Sequence, residues 1–433
     1  MKRVISGLLL AALAASFAGV AQAGADVQFA IIGDRTGSAQ PGVYERVVSE
    51  IKLFAPTFLV SVGDQIEGYT EDRAVLEAEW DTYEAIMRGV SSPFYICPGN
   101  HDILNDVMED VWRKRTRRKP NYSFDESGIH FVILDTGRWE SSEEWLAQEG
   151  HRAWLEDDLA AHAPDGLTFV IYHKPFWYDT LAEGLDDPLH EIFKRHGVDA
   201  VFNGHVHVYG TARYDGIPYT IVGSSGGAID GGEEWGSFFH WIWCTVRDGR
   251  LTWAIVGDRG IRDPEFVLVE DLKFRRRAET EYVRLASFPH DEAAPAAEAN
   301  CRLALRNAHE AFPLRMTLQW DVPANWSIEP AEQDVDLAPG AGAELAFAVE
   351  RRGGFYPLPH LRADYPYREG RVFHYDGVLP ALREQKAVRL AAAPAIDGGL
   401  NDAAWAAAGT AESFCAPEGG DGDDRSDAFP LRL

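Results

Sequence analysis

Two short strings, GNHD at Gly99–Asp102 and GHVH at Gly204–His207, carry side chains that bind metal ions. Each follows a β-rich apolar run, SSPFYICP before the first and VDAVFN before the second. Three more polar residues end similar runs: Asp34 in IIGD, Asp64 in VSVGD and His173 in FVIYH. Five strand ends thus present Asp, Asp, Asn, His and a His-x-His pair. A lone histidine in an apolar run is usually a packed core residue, but packing does not call for five such sites in order at strand termini. Carboxylate, amide oxygen and imidazole together suit two borderline divalent cations.

The elements that must position these groups are legible as an alternation. Strand-like runs lie at Val27–Ile32, Thr57–Val62, Phe94–Cys97, His130–Asp135, Thr168–Tyr172 and Ala200–Asn203. Helix-like stretches lie between them at Tyr44–Phe54, Asp72–Met87, Asn105–Arg115, Glu143–His162 and Pro188–His196. After GHVH the pattern becomes a meander over Val208–Tyr214, Pro218–Val222, Phe238–Val246 and Leu251–Val256. Alternation followed by hairpins fits a layered α/β domain, drawn at 26–262. The charged Glu265–Pro289 stretch, with RRRAETE inside it, reads as a linker over 263–298. Short alternating runs from Ala299 to Tyr375, broken by Pro, Gly and Asn, predict a small β-sandwich over 299–380 with Trp320 and Trp326 in its core.

Composition bounds the rest. A chain of 433 residues is too long for one ordinary core. Residues 1–23 read as a signal peptide: Lys2 and Arg3, an apolar stretch from Leu8 to Val20, then Ala21-Gln22-Ala23 as a cleavage site. Export to the periplasm or beyond the cell is therefore expected, with no membrane span in the mature chain. The net charge is −27, which excludes nucleic-acid binding by bulk charge. It also repels anionic substrates except where metal ions or Arg invert the local field. The one strong basic cluster, RKRTRRK at Arg113–Lys119, would guide a polyanionic substrate if its charges are free. Of the four cysteines, Cys97 and Cys244 sit inside apolar strand runs and are expected as buried thiols; Cys301 and Cys415 are unassigned.

The motif order, with Asp34, GD at Gly63-Asp64, GNHD, His173 and GHVH, resembles the calcineurin-like metallophosphoesterases over about Val27–Asp258. That resemblance implies two packed β-sheets flanked by helices. It also implies a metal-dependent phosphoric ester hydrolase, in which hydroxide formed on a metal attacks a phosphomono- or diester in line, with no covalent enzyme intermediate. By the same resemblance Asp64 bridges two ions, drawn from Fe, Mn and Zn. Asn100, His173 and His205 join it around one, and Asp34 and His207 around the other. The family's first motif is Asp-x-His, and Thr36 stands in place of that His. Purple acid phosphatases also lack it and place a ligating Tyr three residues after the GD aspartate. Glu67 holds that spacing here and is the expected extra ligand, with Tyr69 a weaker candidate.

Three residues are expected to touch the reaction itself. His101 would protonate the leaving alkoxide, Asp102 would orient that imidazole, and Arg35 would contact the phosphate. Ser224–Gly227 would line the pocket and Asn203 would support the GHVH loop. The string Pro394–Phe414, within a tail drawn at 388–433, resembles the opening of family 9-like carbohydrate-binding modules, and Gly419–Asp427 reads as acidic and disordered. The expected substrate is a phosphate ester, glycan-linked or envelope-associated by analogy with that tail. The alternative is a weakened phosphoesterase scaffold acting as an envelope or glycan-binding protein, motivated by Thr36 and the tail.

Overall fold

In the computed structural model the described residues are 26–162, 166–291, 299–368 and 370–384, with short strand segments at 410–411 and 431–432. The leader-like Met1–Ala23, the Gly419–Asp427 run, Cys415 and all of Pro394–Phe414 except Thr410 and Ala411 lie outside them. The chain divides into two compact units, the first ending at Asp271 and the second beginning at Leu272.

In the first unit the apolar runs become strands β1 (Val27–Ile32), β2 (Phe58–Ser61), β3 (Phe94–Tyr95), β4 (Tyr122–Glu126), β5 (Ile129–Leu134), β6 (Leu167–Tyr172) and β7 (Ala200–Asn203). They are followed by β8 (Gly210–Tyr214), β9 (Ile217–Ile221), β10 (His240–Arg247), β11 (Arg250–Gly257) and β12 (Gly260–Arg262). The helices are α1 (Val43–Phe54), α2 (Arg73–Met87), α3 (Asp106–Thr116), α4 (Ser142–Leu146), α5 (His151–His162), α6 (Phe176–Asp179) and α7 (Pro188–His196). Two six-stranded sheets result, in the orders β12-β11-β10-β1-β2-β3 and β4-β5-β6-β7-β9-β8. Strands β1 and β2, and β5 to β7, pair in parallel, so both faces must be buried and the strands read as unbroken apolar runs.

Alternate residues of these strands serve different layers. Phe29, Ile31, Phe58 and Val60 meet Phe131, Ile133, Phe169 and Phe202 between the sheets. Ala30, Ile32 and Leu59 pack under α1, α2 and α3 with Val48, Trp80 and Trp112. Val132, Leu134, Val170 and Tyr172 pack under α4, α5 and α7 with Trp145, Leu155 and Phe193. The period of two along each strand thus builds four layers, helices outside and sheets inside.

Local chemistry sets the helix ends. Asp72 caps α2 by accepting the Ala74 N–H at 2.9 Å, and Asn105 caps α3 by accepting that of Met108 at 2.9 Å. Asp187 caps α7, whose first residue is Pro188 and whose C-terminal neighbour Gly197 is left-handed. The single helix expected over Glu143–His162 is two: Gly150, at φ 81°, lets the chain turn between α4 and α5.

Three of the six cations in the RKRTRRK run pair with acids. Arg113 and Lys114 pair with Glu109 and Asp110, and Arg115 meets Glu77, Asp81 and Glu84. Arg118 lies over the Tyr95 and Tyr122 rings, 5.0 and 4.8 Å from their centroids. The pairing of Arg113, Lys114 and Arg115 reduces the charge behind the expected steering role. Cys97, Cys244 and Cys301 are buried free thiols. No helix among the described residues is long and apolar enough to cross a membrane.

The stretch expected as a linker, 263–298, is structured where it is described. It carries α8 (Val269–Arg277), β13 (Val283–Ala286) and β14 (Phe288–Asp291). The Arg275–Arg277 cluster that suggested a connector forms the last turn of α8, where cations complement the helix dipole. In the second unit Phe274 stacks on Tyr367 at 4.2 Å.

The second unit continues with β15 (Ala299–Arg306), β16 (Leu314–Asp321), β17 (Trp326–Glu329), β18 (Glu332–Leu337), β19 (Gly342–Arg351), β20 (His360–Arg368), β21 (Arg371–Val378) and β22 (Ala381–Glu384). Its two four-stranded sheets are β13-β15-β19-β17 and β18-β16-β20-β21. Strand β16 buries every second residue, and Trp320 of one sheet meets Phe347 of the other at 5.5 Å. Trp320 and Trp326 are both buried.

Phe131 touches the rings of Phe29, Phe58, Phe124 and Phe169 between the sheets of the first unit. Phe131→Ala is expected to cost about 3–5 kcal/mol in denaturant unfolding. A loss under about 1 kcal/mol would mean that the sheets do not share this core.

Candidate metal centre

All the sequence-predicted donors sit just beyond the carboxyl ends of β1, β2, β3, β6 and β7, the edge where open α/β sheets bind ligands. The first loop is held by the chain after β9. Asp34 O accepts N–H bonds from Ser225 and Gly226 at 2.9 Å and Gly227 at 3.2 Å, and Gly33 N donates to Ser225 Oγ at 2.8 Å. Ser224–Gly227 therefore supports Asp34. Asn203 ties two strand ends, donating to Tyr172 O and accepting from Trp177 Nε1, both at 2.7 Å.

The second and third loops are tied by Asp102. Its carboxylate, fully buried, accepts backbone N–H bonds from Asp64 and Gly99 at 2.8 Å, Gln65 at 2.9 Å and Ile66 at 3.3 Å. His101 N returns a bond to Asp64 Oδ1 at 3.0 Å. Gly99 is required by proximity, since an added Cβ would overlap Asp64 Oδ1, and at Gly204 it would overlap Asp34 Oδ1.

Three imidazoles reach the centre, and a backbone carbonyl fixes the tautomer of two. A carbonyl only accepts, so Nδ1 is the N–H on His173, 2.8 Å from Val62 O, and on His207, 2.7 Å from Ala228 O. Each Nε2 then carries the lone pair a cation needs. His173 Nε2 lies 3.1 Å from Asp64 Oδ2, and His207 Nε2 lies 3.4 Å from Asp34 Oδ2. His205 N donates to Asp34 Oδ2 at 2.7 Å and its Nδ1 lies 2.9 Å from Asn100 Oδ1. Two donor groups follow, Asp64–His173–His205 and Asp34–Asp64–His207, with Asp64 common to both.

Two observations test whether this donor set fits a pair of cations. Asp34 Oδ1 and His173 Nε2 are buried polar atoms with no hydrogen-bond partner, a costly state that cations relieve. Asp64, His205 and His207 adopt φ of 59°, 73° and 56°. Left-handed backbone costs a non-glycine residue about 1–2 kcal/mol, and such strain gathers at functional sites. The residues present fit the group.

Burial opposes both charges of the Asp64–His173 pair, yet without an ion each favours the charge of the other, with Asp64 below the ordinary carboxylate range and His173 above the ordinary imidazole range, so the extra proton on His173 Nε2 is the one a cation would displace. Burial and then His173 push His205 down to about 3, which leaves a neutral imidazole. Burial opposes charge on His207, but the Asp34 hydrogen bond raises it. Burial and then the Asp64 charge push Asp102 upward, against its N–H donors.

Four residues of the site make contacts that the sequence did not suggest. Asp102 does not orient His101: its oxygens are turned onto the loop backbone, and His101 Nδ1 instead donates to Glu67 O at 2.6 Å. Glu67 stands outside both donor groups, and its Oε1 accepts the Ala39 N–H at 3.1 Å. Arg35 Nη1 donates to Gln65 O at 2.8 Å, which ties it to the second loop. Thr36, fully buried, donates its hydroxyl proton to Asp64 O at 3.1 Å, so it braces the shared aspartate from behind. Tyr69, the weaker candidate, is closer to the centre than Glu67. Its hydroxyl accepts from Asn100 Nδ2, and its ring meets that of His101 edge-on at 4.4 Å.

Residues 26–209 match the family described as calcineurin-like phosphoesterase. This stretch is a calcineurin-like phosphoesterase domain. Purple acid phosphatase 15 of Arabidopsis thaliana is 27% identical over 180 residues, covering 35% of this chain and 33% of that protein. A serine/threonine-protein phosphatase of Danio rerio is 27% identical over 187 residues, covering 40% of this chain and 60% of its own length. The chain thus spans between a third and three-fifths of these relatives. Among solved structures, a dimetal phosphatase from Danio rerio aligns at 13% identity and TM-score 0.40, over 54% of this chain and 97% of that one.

Asp102→Asn would turn an amide NH2 toward backbone donors. It is expected to cost about 3 kcal/mol in chemical unfolding, given about 1–3 kcal/mol for each buried group left unsatisfied. Glu67→Ala is expected to keep the metal stoichiometry of the parent protein. Elemental analysis showing one ion fewer would restore Glu67 as a ligand.

Proposed function

We propose that this chain is a metal-dependent phosphoric ester hydrolase, exported to the periplasm or beyond the cell, that hydrolyses a phosphomono- or diester by in-line attack of water at phosphorus. The observation that carries this reading is the pair of donor groups sharing Asp64, with Asp34 Oδ1 and His173 Nε2 buried and unpartnered. Export rests on the character of Met1–Ala23 alone.

Asp64, Asn100, His173 and His205 would hold one ion, and Asp34, Asp64 and His207 the other, with Fe, Mn and Zn compatible with these donors. When bound, such ions lower the pKa of water toward about 7 and neutralise phosphoryl charge. The chain's own residues do the remainder. The Glu67 carbonyl holds the Nδ1 proton of His101, so Nε2 is the atom that takes up and delivers a proton to the leaving alkoxide. The edge-on Tyr69 ring limits rotation of that imidazole. The Tyr69 hydroxyl accepts from the Asn100 amide, which directs Oδ1 toward His205. A phosphate ester linked to a glycan or another envelope component is the first substrate class to screen, on the strength of the Pro394–Phe414 resemblance.

His101→Ala separates proton delivery from metal binding. Metal content is expected to stay unchanged. Turnover of an alkyl phosphate should fall roughly 10²–10⁴-fold, and that of an aryl ester with a good leaving group far less. Equal losses on both substrates would remove His101 as the acid. Asp64→Asn is expected to lose metal and activity together, and an active, metal-replete Asp64→Asn protein would sink the whole reading.

A further inference from the structure

A cavity of about 410 Å³ opens where the loops before β4 and after β5 meet α3 and α5. That volume falls within the range of small-molecule sites, about 300–1,000 Å³. The scaffold of the metal centre sets its place. Leu134 pairs with Tyr172, so Asp135, which lines the cavity, and the donor His173 end neighbouring strands. The loop after Asp135 then holds Lys174, the residue that follows His173. Thr136 Oγ1 accepts the Lys174 N–H at 2.9 Å, and Trp139 O accepts from Lys174 Nζ at 3.1 Å. None of the donors of the Asp64 centre lines this cavity.

We propose that this cavity binds a neutral saccharide unit, with Trp139 and Trp154 as its stacking faces. Both indoles pack against the core that holds Trp145 and Leu155, stay partly exposed, and line the cavity. An indole face offers an apolar surface to the C–H side of a sugar ring. The groups beside the indoles are polar. Trp145 O accepts from His151 Nδ1 at 3.0 Å, so Nε2 carries the lone pair and accepts from Asn121 Nδ2 at 3.2 Å. Burial lowers the His151 pKa, which keeps the ring neutral. Asn121 has a second amide N–H to give. Asp135 is buried at 3% exposure; its Oδ1 accepts the Gly137 N–H at 3.1 Å, and no bond among the described residues reaches Oδ2. Burial pushes this carboxyl up to about 7, so near neutrality it donates to a hydroxyl as well as accepting from one. A sugar hydroxyl also does both, which matches a lining of mixed donors and acceptors. Charge argues against other occupants. Glu109, Asp135 and Glu149 stand against Arg113 and Lys119, and Glu109 and Arg113 already pair at 2.7 Å. So balanced a lining selects neither an anion nor a cation.

The test is saturation-transfer NMR on the full chain, with maltose, cellobiose, lactose and chitobiose as probes and choline and adenosine beside them. At least one disaccharide is expected to bind saturably. Trp154→Ala is expected to weaken that binding roughly tenfold or more, and Glu149→Ala severalfold, with unfolding midpoints close to the parent's. Glu149 is exposed, so its variant keeps the comparison open should the loss of Trp154 unsettle α5. The readout needs no turnover, so it stands whether or not the Asp64 centre hydrolyses phosphate esters. Binding that survives both substitutions would place the sugar elsewhere in the chain, the Pro394–Phe414 stretch included, and would overturn the proposal. The absence of saturable binding by any disaccharide, or tighter binding of choline or adenosine, would overturn it as well.

Discussion

The carboxylate of Asp102 accepts backbone N–H bonds from Asp64, Gln65, Ile66 and Gly99, and so sets the distance between the two loops that carry Asp64 and Asn100. A buried carboxylate is tolerated only when hydrogen bonds replace its water, and here four backbone donors do so. Each hydrogen bond contributes about 0.5–1.5 kcal/mol net. Together they are large enough to hold Asp64 in a left-handed conformation whose strain is on the order of 1–3 kcal/mol. The His101 N–H closes the arrangement by returning to Asp64 Oδ1, so the aspartate shared by both donor groups is fixed from its backbone and its side chain alike.

The same logic recurs around the centre. Three donor side chains are aimed by a backbone group on a neighbouring loop: His173 by Val62 O, His207 by Ala228 O, and Asp34 by the His205 N–H. Those backbone groups are rigid because they continue parallel strands buried on both faces. Little side-chain entropy remains to be lost when a ligand arrives, which is the advantage of building a site on sheet edges rather than on free loops. The chain that follows β9, where Ser224–Gly227 was expected to line the pocket, joins the scheme as a brace through Ser225, Gly226 and Ala228.

The strand ends and the donors were legible because both depend on local pattern. A parallel strand buried on two faces is an unbroken apolar run, and the first polar residue after it necessarily sits at the sheet edge. The partners of each side chain were not legible, because they depend on direction. His101 and Asp102 are neighbours in sequence and suggest a pair, yet the tight turn sends one side chain toward Glu67 O and the other back under Asp64. Glu67 has the spacing of a ligand but faces Ala39. The Arg275–Arg277 cluster reads as solvated linker in isolation and proves to be the last turn of a helix, since a charge pattern does not reveal which apolar neighbour, here Phe274, finds a partner. Strand β4 escaped notice because YSFDE is only half-buried and alternates weakly.

Charge gives the site its final constraint. The chain is strongly acidic, and the cations nearest the centre are already engaged: Arg35 with Gln65 O, Lys174 with Glu140, and most of the RKRTRRK run with acids or aromatic rings. The net charge of −27 opposes the approach of a phosphate ester at long range. In the function proposed above, attraction must therefore be local. Asp34 and Asp64 are the two carboxylates in the donor groups, and the imidazole and amide donors are neutral ligands. Two carboxylates against two cations of charge two or three would leave the centre net positive within a chain whose net charge is −27. An anion is then held only within a few ångströms of the ions, at a range where screening by salt is weak. The acidic body and the cation-binding edge then have opposite effects on an anion, the first repelling it by net charge and the second holding it at short range.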